Sequence, residues 1–145
     1  MKKDFDEKFM AIQEGIVSLC LEATDGQVDK VFAYASIEEK SKMFNVFFQK
    51  DGEILTMNKL GISMDICIKL LDLGIEDLLE IKKLCEENET KTPTEIKMYY
   101  DVKTGKFDAS YKYEEICSGK TGIGAGDVFM DWYRAEKEKL EESNY

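Results

Sequence analysis

The stretch that decides the fold is "EIKMYYDVKTGKFDASYKY", residues 95–113. Ile96, Met98, Tyr100 and Val102 alternate with Lys97, Tyr99 and Asp101. After Lys103-Thr104-Gly105 the alternation resumes, with Phe107, Ala109, Tyr111 and Tyr113 set against Asp108, Ser110 and Lys112. Side chains along a strand point to opposite faces with a period of two, so this pattern predicts an antiparallel hairpin with one buried and one wet face. A three-residue loop ending in glycine suits a left-handed bulge residue. Pro93, the only proline, stands just before the first strand, where its missing N–H costs no ladder bond.

Three more strands precede the hairpin. In "DKVFAYASI" (29–37), Val31, Ala33, Ala35 and Ile37 share one face, and Phe32 and Tyr34 lie on the other. Glu38 to Ser41 make a charged turn. "KMFNVFFQ" (42–49) places Phe44, Val46 and Phe48 on one side; Lys50-Asp51-Gly52 reads as a hairpin turn, and "EILTM" (53–57) as a short third strand.

Three helices surround these strands. Phe5, Phe9, Ile12, Ile16 and Leu19 recur at helical spacing over residues 5–23, and Asp25-Gly26 ends that run. Residues 64–88 form a second helix, expected to break at Gly74, with Leu78, Ile81 and Cys85 facing the core. Residues 127–140 form a third, striped by Val128, Phe129, Trp132 and Tyr133. The order is helix, three strands, helix, two strands, helix. Clustered, hairpin-connected strands predict an α+β fold: a three-strand meander plus a β-hairpin in one antiparallel sheet, with the N-terminal, central and C-terminal helices packed against one face. No repeat or linker divides residues 1–145, so one domain is expected.

Composition narrows the function. A chain of 145 residues, 43% hydrophobic, can bury a core without staples. The four cysteines form no Cys-x-x-Cys pair, and three lie within apolar patterns, which favours reduced core thiols over a metal site or a disulfide framework. There is no histidine, hence no use of the commonest general base and metal ligand. No apolar run reaches membrane-spanning length and "MKKDFDEKF" has no apolar stretch behind its lysines, so a cytoplasmic protein is expected. Thirty acidic residues face twenty basic ones, for a net charge of −10, and Arg134 is the only arginine. That balance argues against nucleic acid as a direct ligand and for a partner with a basic surface.

One motif suggests an enzyme. "GKTGIGAGDVF" (119–129) ends its first triplet like a phosphate-binding loop, and Gly124-Ala125-Gly126-Asp127 resembles the anion-hole motif of ribokinase-type sugar kinases, where the aspartate is the base. A phosphate loop, however, would need glycine where Glu114 stands, and Glu115 and Asp127 add further negative charge. The sugar kinases require a parallel sheet that this pattern does not supply. The simpler reading is a bent connection with Asp127 capping the last helix. No catalytic residue, cofactor or metal ligand is assigned; the alternative is a small enzyme using residues 119–127 as an anion site.

Taken together, "KVFAYASIEE", "FNVFFQKDGEI", the long acidic helix, "TPTEIKMYYDVKTGKFDASYKYEEI" and the aromatic "DVFMDWYR", in that order, resemble the YezG-like (EsaG-like) immunity proteins of Gram-positive bacteria. The resemblance runs through most of the chain. It implies a small cytoplasmic α+β protein that is not an enzyme but an antitoxin: it binds and neutralises a cognate toxin of type VII secretion, typically a nuclease. Under that resemblance the expected contact residues are the charges Glu114, Glu115, Asp127 and Asp131, with Tyr113 and Tyr133 as aromatic anchors. A second candidate surface combines Glu38 and Glu39 with Asp51 and Glu53. An adaptor of the same fold with a non-toxin partner is the remaining alternative.

Overall fold

A computed structural model of the chain describes residues 2–39, 41–117 and 122–143. Eight elements follow in order: α1 (Lys2–Thr24), β1 (Lys30–Glu38), β2 (Ser41–Lys50), β3 (Glu53–Thr56), α2 (Met64–Glu87), β4 (Glu95–Asp101), β5 (Lys106–Lys112) and α3 (Ala125–Ser143). The strands form one antiparallel sheet in the order β3-β2-β1-β4-β5. The fold is α+β, with the meander and the hairpin joined through the β1–β4 pairing. The turn between β4 and β5 takes four residues rather than three, because Val102 leaves the strand. The Asp101 carboxylate accepts from the Lys103 and Thr104 amides, and Gly105 supplies the left-handed corner at φ 74°.

β1 is the axis of the molecule. All seven residues from Val31 to Ile37 are buried, because it has a strand on each side and helices on both faces. On the first face Val31, Ala33 and Ala35 stand in register with Phe48, Val46 and Phe44 of β2. Ala33 and Ala35 also pair with Met98 and Ile96 of β4. α1 and α2 cover this face, contributing Ile16 and Cys20 from one and Leu70, Leu78, Ile81 and Cys85 from the other. Burial pushes the Cys20 thiol up to about 12, so it is held as the neutral thiol.

The second face corrects the expectation of helices on one side only. Phe32 and Tyr34 of β1, Phe47 of β2 and Ile54 of β3 form a second core with Phe129 and Tyr133 of α3. Phe32 stacks on Phe47 with ring centres 4.6 Å apart, and Trp132, Tyr133 and Phe129 meet Phe47 edge-on at 5.0, 5.5 and 5.7 Å. The aromatic residues on the alternate positions of β1 and β2 are too large to leave in water, so α3 covers them.

Gly74 does not break α2, which is continuous. A Cβ at position 74 would lie 2.2–2.6 Å from the Phe44 ring, so the glycine is a point of close approach between helix and sheet. Gly15, in the middle of α1, is the opposite case: a Cβ there would meet nothing within 4 Å. Gly74→Ala therefore sets a helix-propensity gain of ~1 kcal/mol against overpacking of a rigid ring, for a net loss of roughly 1–2 kcal/mol. Gly15→Ala has only the gain, ~0.5–1 kcal/mol. Urea unfolding of the two variants should move the midpoint in opposite directions; a stabilising Gly74→Ala would refute the close contact.

Asp77 gives a second check. Burial, with Glu76 and Glu80 adding repulsion, pushes its carboxyl above the ordinary aspartate value. A folded pKa above the unfolded ~3.9 means that stability is full below that pH and is lost as pH rises through the folded value. Asp77→Asn is expected to raise Tm at pH 7, with the gain fading below about pH 4. Equal melting temperatures at pH 7 would contradict it.

Candidate partner interface

Residues 113–117 leave β5 and run along one end of the sheet, and two side chains fasten their main chain. The Thr94 hydroxyl lies 3.1 Å from the Lys112 carbonyl oxygen and 2.7 Å from that of Glu114. The Glu38 carboxylate accepts from the amides of Ile116 and Cys117, one per oxygen, at 2.8 and 2.9 Å. Between these fasteners Tyr113, Glu114 and Glu115 turn their side chains to solvent; Tyr113 is 41% exposed. The segment is a strap with a fixed backbone and free side chains.

Glu95 lies beneath this end of the sheet. On strand parity it belongs to the wet face, yet it is buried, accepting from the Tyr34 hydroxyl at 3.0 Å and lying 3.9 Å from Lys112 Nζ. Burial and the adjacent Glu95 charge push the Tyr34 hydroxyl well above its ordinary value, so it keeps its proton and donates. Neither Glu95 nor the Glu38 clamp was expected from the sequence. Each acts on a group at least 61 positions away, so no local pattern announces it.

Cys117, at the end of the strap, and Ala125, at the start of α3, are both buried in the second core. Gly119, Lys120 and Thr121 lie outside the described residues. Gly124 precedes the helix, and Asp127, at the third helical position, reaches back to accept from the Gly124 amide at 3.0 Å. This corrects the expected cap: Asp127 is the back-bonding carboxylate of a capping-box arrangement, not the N-cap. It occupies with a negative charge the Gly124 amide that an anion site would need. Asp131 follows one turn later on the same exposed side, 3.5 Å from Arg134.

Other expected contacts are not brought together. Tyr133 is buried in the second core, its hydroxyl 3.4 Å from the Ile54 carbonyl oxygen, so it is a packing residue rather than an exposed anchor. Glu38 is engaged by the strap; Glu39 beside it is exposed. Asp51 and Glu53 are exposed at the β2–β3 turn, at the opposite end of the ten-residue strand β2, about 30 Å from Glu38 and Glu39. The second candidate surface is therefore two separate patches.

Away from the strap, an open groove of ≈ 470 Å³ runs between α3 and the β4–β5 hairpin, with Phe32, Tyr99 and Trp132 at its base and Lys97, Glu136 and Lys139 on its walls. Lys97 sits over the Trp132 ring at 5.6 Å. Among the described residues there is no group of three or more Cys, Asp or Glu able to hold a metal ion, and no helix is long and apolar enough to cross a membrane.

Glu38→Ala should unfasten the strap without unfolding the sheet. Two partly buried amides lose their acceptor, which costs about 1–3 kcal/mol. Hydrogen exchange at Ile116 and Cys117 should quicken selectively while amides of β1 and β4 stay protected. Unchanged exchange at these two positions would show that the clamp does not hold the strap.

No protein-family model matches this chain, and no curated protein matches it.

Proposed function

We propose that the protein is an immunity protein that binds and neutralises a cognate secreted toxin, a nuclease domain with a basic surface, in the cytoplasm of the producing cell. What carries the reading is the strap: Tyr113, Glu114 and Glu115 held outward on a fastened backbone. Asp127 and Asp131 of α3 add two further exposed carboxylates. Pre-ordering of the backbone lowers the entropy lost on binding, and an exposed tyrosine among carboxylates suits a contact with a cationic surface.

The net charge of −10 supports the same reading. A nuclease cleft must be positive to hold phosphates, and an acidic protein is drawn to it at up to ~10⁸–10⁹ M⁻¹s⁻¹ when the charges are complementary. Inhibition then needs occupation of the cleft and no reaction. The resemblance to the YezG-like immunity proteins agrees with this mode of action.

The test is co-expression with the neighbouring large open reading frame, followed by pull-down and a growth assay. Killing by the neighbour's C-terminal domain, rescue by this protein and co-purification of the two are expected. Absence of both rescue and co-purification would remove the proposal. Within a confirmed complex, reversing Glu114 and Glu115 to lysine should weaken binding about tenfold or more at low salt and flatten its salt dependence. Unchanged affinity would move the contact elsewhere on the molecule.

A further inference from the structure

Among the described residues, Glu95 is the only Asp, Glu, Lys or Arg that the fold buries, with 2% of its side chain accessible. Its two oxygens have one partner each. Oε1 accepts from the Tyr34 hydroxyl at 3.0 Å, and Oε2 lies 3.9 Å from Lys112 Nζ. A carboxylate taken out of water needs an opposite charge or several donors to offset its lost hydration. Tyr34 supplies one neutral donor. The opposite charge comes from Lys112, the one cation that pairs with Glu95 among the described residues, and the Lys112 side chain is itself 53% exposed.

Lys112 is also the residue from which the strap departs. It stands opposite Glu95 in the β4–β5 register. Thr94, next to Glu95 in the chain, grips Lys112 at its other end. The Thr94 amide donates to the Lys112 carbonyl oxygen at 2.8 Å, and the Thr94 hydroxyl lies 3.1 Å from the same oxygen and 2.7 Å from that of Glu114. The Thr94 carbonyl in turn accepts from the Ile37 amide at 2.9 Å, which ties this corner to β1. Lys112 is thus held by its ammonium through Glu95 and by its carbonyl through Thr94, and the two holding residues share a peptide bond.

We propose that the Glu95–Lys112 pair is a latch on the strap. The positive charge of Lys112 keeps Glu95 inside, and Glu95 inside keeps Thr94 where it fastens the strap. With that charge removed, the buried carboxylate turns out towards water. The backbone it shares with Thr94 follows, and the first fastener opens while the Glu38 clamp persists. Lys112 is a positioning residue for the strap. What the latch does for binding rests on the toxin reading, since it governs the same strap; the latch itself does not, and it is tested on the free protein.

Hydrogen exchange of the full chain, read at the Thr94 amide, is the measurement. Lys112→Gln should quicken exchange there about tenfold or more, and Lys112→Arg, which keeps the charge, should stay close to the parent. Adding Glu95→Gln to Lys112→Gln should restore most of the protection, because a neutral amide still accepts from Tyr34 and does not need the ammonium. A merely structural role for the Lys112 side chain would make the second substitution add to the first. The amides of Ala33 and Met98, paired in the middle of the sheet, should match the parent throughout. Unchanged exchange at Thr94 in Lys112→Gln overturns the proposal, as does a double variant looser than the single one or equal loosening in Lys112→Arg. Acceleration at Ala33 and Met98 as large as at Thr94 does so too. In a confirmed toxin complex, affinity should fall with Lys112→Gln and recover in the double variant. Exchange that follows the latch while affinity ignores it would uphold the latch and remove the strap from the contact.

Discussion

The structure depends on β1 being buried on every side. A strand with neighbours at both edges can satisfy its backbone through the ladder, but its side chains then face two layers that must each exclude water. Val31, Ala33 and Ala35 demand cover on one face; Phe32 and Tyr34 demand it on the other. The α1–α2 pair answers the first demand and α3 the second. The second layer needs Phe47 as well, because the Phe32–Phe47 stack makes the surface on which Trp132, Phe129 and Tyr133 settle. The site follows from that arrangement, since α3 can reach the second face only if the chain after β5 turns across the end of the sheet.

That crossing explains the chemistry at the sheet end. A chain leaving an edge strand loses its ladder partners, and its amides must bond elsewhere or to water. Glu38, at the end of β1, supplies both oxygens to two of them. Thr94, just before β4, engages carbonyls on the other side of the strap. Glu95 is buried one residue further on and is balanced by the Tyr34 hydroxyl, with the Lys112 ammonium nearby. Carboxylates that look like surface charge in the sequence are, at this end, structural acceptors.

Much of the fold is legible in the sequence. The hairpin at 95–113 and the meander before it announce themselves through period-two alternation, and Asp25-Gly26 ends α1 with both residues at positive φ. The second layer is half visible: Phe32 and Tyr34 fall on the other face of β1, but two aromatics on alternate positions do not say whether a helix or solvent meets them. Gly74 misleads because a glycine within a helix reads equally as a break or as a close approach, and only Phe44 decides between them. Of the site, the exposed residues Tyr113, Glu114, Glu115, Asp127 and Asp131 can be picked out by type and position. The fasteners cannot, since Glu38 and its amides are far apart in the chain. Tyr133 is ambiguous for a related reason: in an amphipathic helix an aromatic at the edge of the stripe can turn either way.

The fasteners grip only main-chain atoms. Thr94 holds carbonyl oxygens and Glu38 holds N–H groups, and every residue but proline offers both. Positions 113, 114 and 115 can therefore exchange side chains freely while the strap keeps its course. A surface built this way can change its side chains through successive substitutions without renegotiating its own folding.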